Sequence, residues 1–181
     1  MNNGNQDKLM LIEKLERKLM DKEAELNELY DILGRLNSYI KNIIDDMYPA
    51  KTAGRPLIEQ MVETGKRLYL LDAFLPEIAD SLKTGYTQQQ LDGCYGNQKN
   101  IWAFFVENNL LYETESTLVG PYVNDGPNTP ELGTSSPGFI GQFIGWQIVK
   151  RWMERNEKIS LTELMKKNPK ELFDESKYRP G

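Results

Sequence analysis

A chain of 181 residues with 22 Lys and Arg, 27 Asp and Glu and a net charge of −5 shows no dense basic stripe, so nucleic acid is not an expected partner. It contains no histidine and one cysteine, Cys94. That excludes a histidine-based zinc site, a Ser-His-Asp triad, a Cys-His pair and an internal disulfide.

Hydrophobic residues make up 39% of the chain, and no apolar run approaches the roughly 20 residues a spanning helix needs. No transmembrane span is expected. The opening Met1-Asn2-Asn3-Gly4-Asn5 lacks a basic, apolar, cleavable signal. With Met1 as the true start, the expected location is the cytoplasm.

The first predicted element is a long helix with a heptad repeat. Ile12, Leu15, Leu19, Leu26, Leu29, Leu33, Leu36, Ile40, Ile43 and Met47 recur at alternating steps of three and four, broken by Lys22 alone. Up to Leu29 the seam is narrow, flanked by Glu16, Lys18, Glu23 and Glu25. Beyond Leu29 the flanks turn to Tyr30, Ile32, Tyr39 and Ile44. That predicts a broad face buried on a core. The first half either projects and pairs with another chain, giving a homo-oligomer through the N-terminal helix, or folds back on its own, or stands as a single solvent-bridging helix with no partner.

Pro49 ends this helix, and residues 50–55 form a turn. Leu57, Met61, Leu68, Leu71 and Leu75 mark a second amphipathic helix, stopped by Pro76. Thr87-Gln88-Gln89-Gln90 is a capping box. It opens a third helix that carries Leu91, Ile101, Trp102, Phe105 and Leu110. Residues 114–135, with turn signals at Gly120-Pro121, Gly126-Pro127 and Thr129-Pro130, are expected to be one long irregular loop. The run Leu118 to Val123 could give at most a short edge strand.

Ser136-Pro137 is expected to open a fourth helix as N-cap and first residue, running from Phe139 to about Arg155. Ser160 to Glu163 is a second capping box, and Asn168 caps a final turn. The fold class is mainly α: a heptad helix over 1–36, then a compact helical domain over 37–181.

Candidate functional residues are few. Gly141 and Gly145, one turn apart, permit close helix packing beside Trp146 and Trp152. Glu63, Lys66 and Tyr69 share one face of the second helix, which fits a polar ligand or an i, i+3 ion pair. Glu107, between Phe105, Val106 and Leu110, is expected to be a buried carboxylate. Asp72, Glu77 and Asp80 supply carboxylates for acid-base work. Cys94 has no cationic neighbours in sequence to activate it. No cofactor and no metal are expected.

Several pieces in order resemble the gliding-motility lipoprotein GldB family of Bacteroidetes. They are Gly65-Lys66-Arg67-Leu68-Tyr69-Leu70-Leu71-Asp72, Leu75-Pro76, Gly85-Tyr86-Thr87, Ile101-Trp102 and Phe105-Val106-Glu107-Asn108. Ser136-Pro137-Gly138, Gly141, Gly145-Trp146-Gln147-Ile148-Val149, Glu163-Leu164 and Ser176-Lys177-Tyr178 continue the match. It covers roughly residues 37–180.

The resemblance implies a degenerate zincin-like protein, with the helix near Met61 to Leu70 corresponding to a metal-binding helix and lacking a histidine. It implies a non-catalytic protein on the periplasmic side of the cell envelope, tethered by a lipidated cysteine and binding partners of gliding or secretion machinery. This chain shows no lipobox at its start, and its heptad helix stands where the family has its N-terminal half. The alternatives are a carboxylate-dependent enzyme acting on an envelope polymer and a cytoplasmic coiled-coil adaptor.

Overall fold

The computed structural model describes residues 3–50 and 52–180. The start of the expected heptad segment, Lys51 of the expected turn and Gly181 lie outside the described residues. The chain is 74% helical, with no strand among the described residues. In order the helices are α1 (Asn3–Met47), α2 (Leu57–Phe74), α3 (Asp80–Thr84), α4 (Gln88–Gly96), α5 (Gln98–Glu107), α6 (Ser116–Val123), α7 (Ile140–Arg155), α8 (Leu161–Lys166) and α9 (Pro169–Ser176). Two compact units divide the chain, Met1–Tyr39 and Ile40–Gly181.

The first unit is α1 up to Tyr39. Its heptad residues Ile12, Leu15, Leu19, Leu26 and Leu29 are each 50–60% exposed. The broad face expected after Leu29 is not buried there. Tyr30, Ile32 and Tyr39 are exposed, Leu33 is half-buried and Asn37 is buried, and Ile40 and Ile44 in the second unit pack on a core. These last turns of α1, inside the second unit, reach the flank of α2, where Ile44 joins Leu68, Leu71 and Trp146. Arg67 of α2 locks them in place. It holds the Asp45 carboxylate at 3.1 Å and donates to the Tyr48 carbonyl at the helix end.

The second unit is built on α2 against α7, with α9 packed on both. Glycine makes that central pair possible. A Cβ at Gly145 would lie 1.7 Å from the Met61 carbonyl oxygen, and one at Gly65 would lie 2.2 Å from the Gly145 backbone. Without side chains at the crossing, the two backbones touch. Met61, Val62, Phe143, Ile144 and Ile148, on either side, are wholly buried. Trp146 and Trp152 are buried as the sequence predicts. The capping boxes at Thr87 and Ser160 form, each accepting from the third helical N–H and receiving the Gln90 or Glu163 side chain in return. Asn168 caps α9.

Three elements differ from expectation. The predicted third helix is two, α4 and α5, broken at Asn97. The stretch 114–135 holds α6 in place of an uninterrupted loop or an edge strand. Val119 and Tyr122 are buried at helical spacing. Pro121 is tolerated on the exposed side, where the carbonyl it leaves without a donor, that of Thr117, belongs to an exposed residue. Ser136 does not cap α7. Its hydroxyl donates to the Thr129 carbonyl at 2.9 Å and accepts from the Thr129 N–H at 3.0 Å, folding the preceding loop. The residue before α7 is Phe139, in left-handed backbone at φ 53°.

Candidate functional site

The polar face of α2 divides between two clusters. Glu63 accepts from the Lys66 ammonium at 3.0 Å and lies 3.6 Å from the Arg67 guanidinium. Lys66 is completely buried and also donates to the Lys167 carbonyl at 2.5 Å, at the end of α8. Burial lowers the Lys66 pKa, and Glu63 opposes that shift. The pair ties α2 to the α8–α9 corner and leaves Glu63 flanked by two cations. Tyr69 stands apart from it, half-buried beside Lys150 and Glu154. Burial raises the Tyr69 pKa, with Asp72 and Glu154 adding to the shift.

The second cluster surrounds Lys83, of which 1% of the side chain is exposed. Its ammonium bonds Asp72 of α2 and lies 3.3 Å from Asp80 of α3. Lys150 of α7 stands 3.9 Å from Asp72 and 3.5 Å above the centre of the Trp146 ring, a cation–π contact. The Tyr95 hydroxyl donates to Asp80 at 3.2 Å. Burial and the Asp80 carboxylate push Tyr95 up to about 12. So Asp72 and Asp80 do converge, but on a lysine, and Glu77 is exposed outside the cluster.

Sequence reasoning missed Lys83, Lys150 and Tyr95. Of these, only the i, i+3 step from Asp80 to Lys83 was open to a local reading.

Glu107 corrects an expectation. It is exposed, as is Val106 beside it. On α5 the buried residues are Ile101 and Phe105. Glu107 lies two residues beyond Phe105, about 200° round the helix, on the solvent side. It does not meet Glu63, Lys66 or Tyr69 in one site.

Cys94 lies in a cleft of about 250 Å³ between the α4–α5 corner and the 132–137 segment. Gln90, Asn97, Asn100, Ser135 and Ser136 supply its polar lining. Burial pushes the Cys94 thiol up to about 12, so it stays protonated and unreactive. The cleft can donate and accept hydrogen bonds, and its lining holds no carboxylate to act as an acid or base. Among the described residues, no three His, Cys, Asp or Glu side chains group as metal ligands. No helix among them is long and apolar enough to cross a membrane.

The family described as gliding motility protein GldB matches residues 35–180. No curated protein and no solved structure matches the chain.

Proposed function

The chain belongs to the gliding motility protein GldB family, and on that premise we propose a non-catalytic cell-envelope protein that holds partners of gliding or secretion machinery. In this reading the N-terminal helix pairs two copies of the chain, and the 114–135 segment offers a surface to the envelope partner. The observation that carries it is the exposed heptad row Ile12, Leu15, Leu19, Leu26 and Leu29. A contiguous apolar row on a soluble surface marks an interaction site, and spacing of three and four suits knobs-into-holes pairing. In a parallel pair, Lys18 at a g position faces Glu23 of the second copy at e. Lys22, the polar interruption, holds Glu25 at 2.6 Å within its own helix.

The charge clusters support the non-catalytic part. Glu63 is engaged by Lys66 and Arg67, and Asp72 and Asp80 are engaged by Lys83. An acid-base pair needs a carboxylate free to exchange protons with substrate.

Light scattering on the full chain tests the pairing. The expected result is a dimer at tens of micromolar that becomes a monomer in Leu19→Glu/Leu26→Glu. A monomer at every concentration would remove the coiled-coil reading. Turnover of peptidoglycan or polysaccharide fragments by the parent, lost in a folded Glu63→Gln variant, would remove the non-catalytic one.

A further inference from the structure

A second cleft, of about 310 Å³, opens between the end of α1, α2, α6 and the start of α7. Its walls mix two kinds of group. Ile44, Leu68, Val123 and Phe139 are apolar, while Lys41, Asp45, Arg67 and two threonines are polar. The charges have different commitments. Arg67 is engaged by Asp45, the Glu63 carbonyl and the Tyr48 carbonyl. Asp45 is the acceptor for Arg67. Lys41 has no ion pair within 4.0 Å among the described residues, and Asp125 and Asp45 act on it only as longer-range charges. Burial lowers the Lys41 pKa against their pull, the mark of a cation short of an anion.

Phe139 adds an independent observation. A bulky aromatic residue at φ 53° sits in strained left-handed backbone, and such strain gathers at ligand sites. The conformation is held from both sides, since the Tyr86 hydroxyl donates to the Phe139 carbonyl at 2.9 Å and the Gln142 N–H donates to it at 3.1 Å. The strained residue is a wall of the same cleft that holds the unpaired lysine.

We propose that this cleft binds a carboxylate carried on a short apolar group, with Lys41 and the Thr52 hydroxyl on the carboxylate and Phe139, Leu68 and Val123 around the apolar part. The volume lies at the lower end of ligand sites, which limits the occupant to a small acid or the terminal residue of a chain. Two sources share this chemistry: a free short-chain acid and the C-terminus of a peptide with an apolar last residue. The site does not depend on pairing through the N-terminal helix.

Calorimetric titration of the full chain at low salt tests it, with hexanoate as one probe and acetyl-Ala-Ala-Phe as the other. Each is paired with its neutral amide. Saturable binding of at least one acid is expected, weakened tenfold or more in its amide and in Lys41→Met, and partly restored in Lys41→Arg. Binding by hexanoate alone identifies a free acid; binding by the peptide alone identifies a chain end. Thr52→Val, which removes a hydroxyl at constant shape, should weaken binding severalfold and covers the case of an unstable Lys41 variant. No saturable binding by either acid, or equal binding by acid and amide, would overturn the proposal. So would undiminished binding by a folded Lys41→Met.

Discussion

Residues 6–32 of α1 and the α2–α7 pair use the same amino acids for opposite ends. Both carry Leu and Ile at helical spacing. In α1 these side chains are 47–60% exposed; in the central pair many are wholly buried. The difference lies in what surrounds the apolar row. The α1 stripe is narrow and flanked by charges, a seam that one similar helix can cover. The α2 and α7 faces are wide, and glycines at 65 and 145 bring the backbones into contact. Hydrophobic periodicity identifies a helix; the small residues beside it show how closely a partner packs.

The sharpest way to break this comparison is to give α7 a side chain at the crossing. Gly145→Ala should destabilise the protein by about 3 kcal/mol, because even a methyl group would overlap the Met61 carbonyl. At this chain length the melting midpoint should fall by about 6–12 °C. A midpoint unchanged in calorimetry would mean that the two helices are not in contact.

Next come the buried lysines. Lys83→Met keeps the volume and removes the cation between Asp72 and Asp80, for an expected loss of about 2 kcal/mol, moderated by the partial exposure of both carboxylates. Lys66→Met should cost about half as much, since Glu63 keeps Arg67 as a partner. Urea unfolding of both variants gives the order, and a reversed order would show that the Lys66–Lys167 link matters more than the charges.

Alkaline pH probes three groups of the second unit. The Cys94 thiol rises from 9.0 to about 12 on folding, and Tyr95 and Tyr178 rise from 10.0 to about 12. For each, the protonated form is favoured in the folded state. Their contribution is therefore complete below pH 9 and lost as pH climbs from 9 to 12. Denaturant midpoints should be level across pH 7–9 and fall above it. A level profile to pH 12 would show that these groups are open to solvent.

The smallest effect belongs to α1. Removing residues 1–29 should change the stability of the remaining chain by less than about 0.5 kcal/mol, since the side chains of residues 6–29 are exposed. Loss of cooperative melting by circular dichroism would place that helix in the core.

What the sequence revealed was local. Thr87 with Gln90, Ser160 with Glu163, and Asn168 with Glu171 are bonds between residues three apart, so spacing alone predicts them. Gly141 and Gly145 pointed to a close contact but not to Gly65 as its other side. The match to one family was also legible, because it lies in the order of many short pieces.

The charge clusters were not. Asp72 and Lys83 meet only because α3 turns back on α2, and Lys66 finds its acceptor at Lys167 through the folded chain. Glu107 misled because apolar neighbours in sequence occupy different faces of a helix. Phe139 gave no sign of its left-handed backbone, since its conformation is enforced by Tyr86 from a distant segment.

The link from Lys66 to Lys167 spans 101 residues. At about 5–20 residues per second, a ribosome needs on the order of 5–20 s to make the chain between them. Throughout that interval α2 has left or is leaving the exit tunnel with its apolar face uncovered and its lysine without an acceptor. The central pair thus forms only once α7 has been made. A chain with this topology depends on whatever shields nascent segments until α7 and α8 arrive.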